Sequence, residues 1–261
     1  MSYKILFLDI DGTILKPDHT YTEKTKEAIK QVQAKGIEVF FATGRPLHEL
    51  EDLAKELGIE SGIGYNGGFA KYKGEVIVND AFRPALVSEI RDLAKQLGNE
   101  LIFYTIGTNY LSKTEDPKMK FFVNLFTMKQ NEQLPDDFTK DVYGISAIKV
   151  LPEHVSYYEK FEELYMSPVN VAGLENAYDL IQKKINKGTA VKKVLDALNI
   201  SADEAIAFGD GMNDLDMLQF VGHSFAMANG NPKIFEYAKY KTTSVQEDGI
   251  YNGLKKLGLL D

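Results

Sequence analysis

The stretch Phe7-Leu8-Asp9-Ile10-Asp11-Gly12-Thr13 constrains the fold more than any other part of the sequence. It continues the apolar run that begins at Ile5, and such a run predicts a buried strand of a parallel sheet. Gly12 permits a tight turn directly behind the strand. Because ligands of open α/β sheets bind at the carboxyl ends of the strands, the two carboxylates are expected where chemistry takes place. An isolated D-x-D-G stretch could equally be a solvated turn, so the rest of the chain has to decide.

The same order of strand and helix continues after this stretch. A helix is predicted from Thr22 to Lys35 and a strand from Ile37 to Ala42, followed by Thr43-Gly44-Arg45. Later, a helix from Lys187 to Leu198 precedes a buried strand, Ala205–Phe208, which ends in an Asp-rich loop. This alternation predicts an α/β protein with a Rossmann-like, doubly wound parallel sheet and right-handed crossovers.

The middle third of the chain has a different pattern of strands and helices. Its strand ends lack the Asp, Thr and Gly residues seen elsewhere, and a helix from Leu86 to Leu97 is followed by strands that pattern as antiparallel. We therefore predict an inserted α+β cap domain at residues 82–185. The core domain would consist of residues 1–81 and 186–261.

Composition excludes several classes of protein. The 261 residues include 30 basic and 38 acidic side chains, a net charge of −8, without a basic block for nucleic-acid binding. The absence of cysteine excludes disulfides and thiolate chemistry. Asp9 interrupts the first apolar run before a signal-peptide core forms, and no run approaches the length of a membrane span. We expect a cytoplasmic protein without membrane contact, and its oligomeric state is not indicated.

Four groups of polar residues fall at strand ends or at the start of a helix. They are Asp9 with Asp11, Thr43-Gly44-Arg45, Lys187, and Asp210 with Asn213 and Asp214. Carboxylates near a phosphate dianion meet strong repulsion, because two unit charges about 4 Å apart interact by roughly 4 kcal/mol at an effective dielectric near 20. A Mg²⁺ ion and one lysine would offset that repulsion. Asp9, Asp210 and the backbone carbonyl of Asp11 are suitable Mg²⁺ ligands.

These residues carry a resemblance to a known family. The sequence resembles haloacid dehalogenase superfamily phosphatases of the Cof type, which have a class IIB cap inserted after the third core strand. The matching motifs are Asp9-Ile10-Asp11-Gly12-Thr13, Ala42-Thr43-Gly44-Arg45, Lys187-Gly188 and Gly209-Asp210-Gly211-Met212-Asn213-Asp214. Their order and spacing agree over nearly the whole chain, without a departure at a catalytic position.

The resemblance implies a role for each matched residue. Asp9 would be the nucleophile and Asp11 the general acid/base, and Asp214 would support the metal site or Lys187. The expected phosphate- or substrate-binding residues are Ile10, Thr43, Gly44, Arg45, Lys187 and Asn213, and the expected Mg²⁺ ligands are Asp9, Asp11 and Asp210. Whether Arg45 and Asn66 touch the substrate stays open.

Local alternatives exist for several of these residues. Thr43 alone could cap the following helix, Lys187 alone could be a solvated lysine at a helix start, and Asn66 could simply occupy a turn. The favoured function is a Mg²⁺-dependent phosphatase that acts on small phosphorylated metabolites through an aspartyl-phosphate. A phosphomutase would share the first step, and a phospho-receiver module would form the acyl phosphate without turnover. A general base beside the acyl phosphate argues against the receiver.

Overall fold

The computed structural model describes residues 2–169 and 171–260. Its strands are β1 (Ile5–Leu8), β2 (Glu38–Ala42), β3 (Ser61–Gly64), β4 (Phe69–Tyr72), β5 (Glu75–Asn79), β6 (Glu100–Tyr104), β7 (Asn109–Leu111), β8 (Asn131–Gln133), β9 (Gly144–Ile148), β10 (Leu164–Pro168), β11 (Ala177–Gln182), β12 (Ala205–Gly209), β13 (His223–Ala226) and β14 (Tyr240–Lys241). Its helices are α1 (Glu23–Ala34), α2 (Glu51–Leu57), α3 (Pro84–Leu97), α4 (Pro117–Leu125), α5 (Pro152–Tyr158), α6 (Lys187–Leu198), α7 (Leu215–Phe220) and α8 (Gly249–Lys256).

The chain forms two compact units. Unit 1 contains the chain up to Arg45, Leu50–Asn79 and the chain from Asn186 onward, whereas unit 2 contains Pro46–Glu49 and Asp80–Ile185. Unit 1 holds an eight-stranded sheet in the order β14-β13-β12-β1-β2-β3-β4-β5, parallel from β14 to β3 and closed by the antiparallel pair β4 and β5. The predicted parallel α/β fold is therefore confirmed.

Strand β1 lies at the centre of this sheet, between β12 and β2. All four of its side chains are fully buried. Ile5 and Phe7 pack in one apolar cluster with Val191 and Val194 of α6. Burial of each such side chain contributes about 1.5–3 kcal/mol. The position of Asp9, one residue beyond β1, is therefore set by a fully buried central strand.

Two helix caps agree with the sequence pattern. Thr22 Oγ1 accepts from the Thr25 N–H at 3.2 Å and so begins α1. Asn186 caps α6, where its side chain accepts from the Thr189 N–H at 2.8 Å while the Asn186 N–H donates to Thr189 Oγ1 at 3.1 Å. This reciprocal box fixes the first turn of α6, and that turn contains Lys187.

Unit 2 is built on a six-stranded sheet in the order β10-β11-β9-β6-β7-β8. Helices α3 and α5 pack on one face of it, against a cluster that includes Phe103 and Leu180. Helix α4 packs on the opposite face, where Met119 and Phe122 contact Ile102. In the part of the chain described, no helix is both long and apolar enough to cross a bilayer.

Pro46 fits the first position of a helix, so the sequence predicts a helix start there, and this expectation is wrong. The segment after Arg45 does not begin a helix at Pro46: Leu47–Leu50 form a 3₁₀ turn in which the Glu49 N–H donates to the Pro46 carbonyl, and α2 starts only at Glu51. The third strand ends at Gly64, and Tyr65 and Asn66 then take left-handed backbone angles, with φ of 53° and 52°, in the turn expected at Asn66. Both segments make tertiary contacts that local sequence does not encode.

Candidate active site

Lys187 occupies the centre of the site in unit 1. Its Nζ donates to Asp9 Oδ1 at 2.5 Å and to Asp214 Oδ1 at 2.7 Å. The side chain is fully buried, so this residue is not a solvated lysine at a helix start. Burial acts to lower the pKa of Lys187, but the Asp214 and Asp9 carboxylates outweigh it and raise the pKa above its ordinary value. Lys187 therefore supplies a permanent positive charge at the end of β1.

The pKa values of the Asp9 and Asp210 carboxyl groups are both raised. Burial raises the pKa of Asp9 well above its ordinary value, and the charge of Asp214 adds to this, while Lys187 opposes both. Burial and the Asp214 charge raise the pKa of Asp210 to about 6. Asp210 also shares a hydrogen bond with Asp9. A pair of this kind binds either a proton or a cation.

Asp214 holds this arrangement in place. Its Oδ1 accepts from Lys187, and its Oδ2 accepts from the backbone N–H groups of Asp210 at 3.0 Å and Gly211 at 2.9 Å. The side chain is fully buried. Both of its oxygens are therefore occupied by protein donors. Asp214 fixes Lys187 and the loop that presents Asp210, and it does not offer a free oxygen to a ligand.

The donor set suits Mg²⁺. Carboxylate oxygens of Asp9, Asp210 and Asp214 all lie within 4.8 Å of one another. Both Asp214 oxygens accept hydrogen bonds from the protein, whereas Asp210 Oδ1 accepts from Thr13 Oγ1 at 3.1 Å, so Asp9 and Asp210 are the better candidates for carboxylate ligands. A few carboxylates completed by backbone oxygen and water match the preference of Mg²⁺.

Asp11 is bound by Arg45. Arg45 Nε donates to Asp11 Oδ2 at 2.7 Å, and Nη2 donates to Oδ1 at 2.5 Å. This is the bidentate geometry typical of guanidinium–carboxylate pairs. The Asp11 side chain is half exposed. The predicted general acid/base and the predicted substrate-binding arginine thus contact each other directly.

The sequence of this chain matches a family of known proteins. The family model of haloacid dehalogenase-like hydrolases matches residues 6–254. The chain belongs to this family. A relative from Bacillus subtilis (strain 168), named "Putative phosphatase YkrA", is 32% identical over 100% of both chains.

Two further comparisons extend this result. The 5-amino-6-(5-phospho-D-ribitylamino)uracil phosphatase YbjI of Escherichia coli (strain K12) is 26% identical, over 98% of this chain and 97% of its own. Among solved structures, a hypothetical protein from Geobacillus kaustophilus HTA426 superposes with a TM-score of 0.92 at 27% identity, covering 99% of this chain and 100% of the other. The resemblance to haloacid dehalogenase phosphatases is confirmed, and the protein is an enzyme of the phosphatase type.

The loop after β2 of this hydrolase is organised by Thr43. Thr43 is buried, and its Oγ1 accepts from the Arg45 N–H at 3.1 Å. Local capping of the turn is therefore one function of this hydroxyl. A Cβ on Gly44 would lie 3.1 Å from the Asn66 amide, so glycine permits the close approach of these two loops.

Asn66 is a residue of the hydrolase's site that sequence reasoning left in a turn. The Asn66 N–H donates to the Thr43 carbonyl at 3.1 Å, and the Asn66 Oδ1 accepts from Asn213 Nδ2 at 3.0 Å. Asn66 thereby joins two of the matched motifs. The stretch Asn66-Gly67-Gly68 indicated a turn, but nothing in it indicated the contact with Asn213.

Three further residues lie in the loop after β1 or contact it. Thr13 orients Asp210, as described above, although only its motif membership pointed to it. Asn229 Nδ2 donates to the Gly12 carbonyl at 2.8 Å, and nothing in the local sequence indicated this contact. The side chain of Ile10 is fully buried, so its predicted phosphate contact can come only from its backbone.

Proposed function

We propose that this hydrolase is a Mg²⁺-dependent phosphatase that cleaves small phosphorylated metabolites through an aspartyl-phosphate on Asp9. The observation that carries the proposal is the buried contact between Lys187 and Asp9. A fixed ammonium beside one carboxylate oxygen favours approach of a phosphoryl group to that carboxylate. It also holds the Asp9 side chain in one orientation, so that attack begins from an ordered geometry.

The first step transfers the phosphoryl group to Asp9. An Asp9 oxygen forms a bond to phosphorus while the ester P–O bond breaks, and Asp11 donates a proton to the departing oxygen. In the second step water attacks the aspartyl-phosphate, Asp11 accepts the proton, and Asp9 is released with inorganic phosphate. Asp11 can do this only after Arg45 releases it. We propose that the arriving phosphate, which carries more negative charge than a carboxylate, draws the guanidinium away.

Mg²⁺ would be held by Asp9, Asp210 and the backbone carbonyl of Asp11, and it would neutralise charge on the phosphoryl oxygens. Lys187 adds one positive charge from the protein side. Asn213 is proposed to orient a phosphoryl oxygen, with its amide fixed by Asn66. Thr43 and the loop Gly44-Arg45 are proposed to bind the same group.

The substrate is proposed to be a sugar phosphate or a similar small metabolite. The relative YbjI is named for a phosphate ester of a ribityl group, which is consistent with that class. The acidic chain does not favour nucleic acid as a substrate. A cytoplasmic location stays a prediction.

Phosphate release from a panel of sugar, polyol and aryl phosphates tests the proposal. We expect turnover with Mg²⁺, none in excess chelator, and recovery when Mg²⁺ is restored. Asp9→Asn should reduce turnover to background without loss of the folded state, because an amide is a poor nucleophile. The matched control is Asp18→Asn, which removes an exposed carboxylate of the same unit. Turnover by Asp9→Asn at a rate near that of the parent would contradict the covalent mechanism.

A further inference from the structure

The loop after β13, residues 227–231, contacts two loops that carry proposed Mg²⁺ ligands. Asn229 Nδ2 donates to the Gly12 carbonyl at 2.8 Å. Two residues further on, the Asn231 N–H donates to the Asp210 carbonyl at 2.8 Å. Strand β12 lies between β1 and β13 in the sheet, so residues 227–231 extend past the end of β12 to contact the loop after β1. We call these five residues the Asn229 loop.

The orientation of the Asn229 amide is set by two backbone partners. Its Oδ1 accepts from the Val245 N–H at 2.8 Å, while its Nδ2 donates to the Gly12 carbonyl. A backbone N–H can only donate and a carbonyl can only accept, so a rotated amide would lose both hydrogen bonds. Although Asn229 is exposed, its side chain therefore holds the Gly12 carbonyl in one place relative to the segment that contains Val245.

Gly12 is the residue against which the Asp210 carboxylate packs. A Cβ added to Gly12 would lie 2.3 Å from Asp210 Oδ2, and the φ of this glycine is 89°. Glycine has little intrinsic preference among backbone conformations, so hydrogen bonds have to select this one. The Gly12 N–H donates to the Leu15 carbonyl at 2.8 Å, and Asn229 holds the other end of the residue. Because Gly12 directly follows the Asp11 carbonyl, this contact also limits the movement of that proposed ligand.

Repulsion between carboxylates acts against this arrangement. Asp9 and Asp210 present oxygens within 4.8 Å of each other, and these groups repel when both are ionised. The Asn229 loop opposes the repulsion with hydrogen bonds to the Gly12 and Asp210 carbonyls. Its approach is close, because a Cβ on Gly230 would lie 2.7 Å from the Asp210 carbonyl oxygen. The two ligand-bearing loops are therefore held together before a cation binds.

We propose that Asn229 is a positioning residue for Mg²⁺, because it holds the loop after β1 at the separation from Asp210 that the ion requires. The inference rests on the proposed phosphatase function and adds to it a residue outside the four matched motifs. Residues that orient metal ligands typically contribute about 10- to 100-fold to metal affinity. Asn229 acts through Gly12, next to the Asp11 carbonyl, so we expect Asn229→Ala to weaken Mg²⁺ binding by about 10-fold, the lower end of that range.

The alternative is a crosslink that stabilises the folded chain without affecting the ion. Mg²⁺ would then stabilise the wild-type protein and Asn229→Ala by the same free energy at every Mg²⁺ concentration. The variant would have a lower melting temperature, but the rise in melting temperature on addition of Mg²⁺ would be unchanged. The two roles therefore differ in the Mg²⁺ dependence of stability and not in stability itself.

Melting temperatures of the full chain, measured in chelator and over a series of Mg²⁺ concentrations without substrate, separate these roles. Asn229→Ala should need about 10-fold more Mg²⁺ than the wild-type protein for the same rise in melting temperature. Turnover of 4-nitrophenyl phosphate gives a second readout. The Mg²⁺ concentration for half-maximal activity should rise by a similar factor, whereas kcat at saturating Mg²⁺ should stay close to that of the wild-type protein, because both ligands are then held by the ion.

The matched control is Gln33→Ala. Gln33 of α1 is a half-exposed amide whose Nε2 donates to the Gly58 carbonyl at 2.8 Å. It therefore also joins two segments of unit 1 through a backbone carbonyl. The control should lose a similar amount of stability with and without Mg²⁺, and its Mg²⁺ dependence should equal that of the wild-type protein.

A wild-type Mg²⁺ dependence of the melting temperature in Asn229→Ala would overturn the inference while leaving the phosphatase function intact. An equal weakening of Mg²⁺ binding in Gln33→Ala would also overturn it, since the effect would then follow from any lost crosslink. If Mg²⁺ affected neither the melting temperature nor the turnover of the wild-type protein, the proposed Mg²⁺-dependent function would fail, and this inference with it.

Discussion

At the residue scale, the site is a cluster of three carboxylates around one buried lysine. Lys187 contacts Asp9 and Asp214 directly, while Asp210 has a hydroxyl and a neighbouring carboxyl group as partners. Burial, and after it repulsion by Asp214, raises the pKa of both Asp9 and Asp210. A divalent cation would balance the charge, so the metal-free site is a local source of instability.

Asp210→Asn should therefore stabilise the metal-free protein at neutral pH. The Asp210 pKa of about 6 in the folded state lies above its ordinary value of 3.8. Its stabilising contribution is present at low pH and is lost as the pH rises through this window. A shift of this size corresponds to about 3 kcal/mol, at roughly 1.4 kcal/mol for each pKa unit.

Denaturant unfolding in chelator at pH 5 and pH 7.5 measures this effect. The gain in stability of Asp210→Asn over the parent should be larger at pH 7.5 by about 1–2 kcal/mol. Added Mg²⁺ should raise the melting temperature of the parent but not that of the variant. If the free energies of unfolding of the two proteins differed by the same amount at both pH values, the Asp210 charge would not destabilise the folded protein.

At the scale of elements, the strand before Asp9 and the helix that begins at Lys187 were predictable from local sequence. The turn at Asn66 was expected, but its hydrogen bond to the Thr43 carbonyl was not. The 3₁₀ segment before α2 was not expected, and Glu49 in this segment accepts a hydrogen bond from the distant residue Asn109. Asn229 was missed because its partner Gly12 lies in a distant part of the chain.

Gly209→Ala tests how closely β12 must approach the loop that follows it. A Cβ on Gly209 would lie 2.5 Å from Asp214 Cγ, and Asp214 cannot move without releasing Lys187. We expect a loss of about 1–3 kcal/mol in stability. We also expect kcat to fall by at least about 10-fold, because a rise of about 1.4 kcal/mol in the activation free energy lowers the rate tenfold.

The control for this variant is Gly36→Ala. Gly36 has a left-handed φ of 80°, and a Cβ added there would meet no atom of the described residues within 4 Å. The variant should therefore lose about 1 kcal/mol of stability without a change in kcat. Comparable kcat values for the two variants would argue against a tight coupling between β12 and Asp214.

At the scale of the whole molecule, all four matched motifs lie in unit 1, whereas the inserted segment makes up most of unit 2. The cap at residues 82–185, inferred from the change in the order of strands and helices, stays a prediction. The sequence did not indicate that Pro46–Glu49 joins unit 2, where Glu49 accepts a hydrogen bond from Asn109.

Exchange of residues 82–185 for the corresponding segment of a related phosphatase should change the substrate profile without abolishing turnover of 4-nitrophenyl phosphate. We expect this because all four matched motifs lie outside the exchanged segment. Steady-state kinetics on the same substrate panel would measure this. A folded hybrid that keeps the parent profile would show that unit 1 selects the substrate.

The central claim is that Asp9 carries the phosphoryl group during turnover. Asp11→Asn isolates this intermediate, because the variant keeps its backbone carbonyl but lacks a side chain that can transfer a proton, a contribution of about 10²- to 10⁴-fold. The phenolate of an aryl phosphate leaves without needing that proton. Formation of the aspartyl-phosphate on Asp9 should therefore be faster than its hydrolysis.

Rapid-quench mass spectrometry of Asp11→Asn with 4-nitrophenyl phosphate and Mg²⁺ measures the result directly. We predict one added phosphoryl group that maps to Asp9, accumulates within the first turnover and is absent from the double variant Asp9→Asn/Asp11→Asn. Hydrolysis of alkyl and aryl phosphates by Asp11→Asn at the parent rate, with no phosphoryl group on Asp9, would contradict the account.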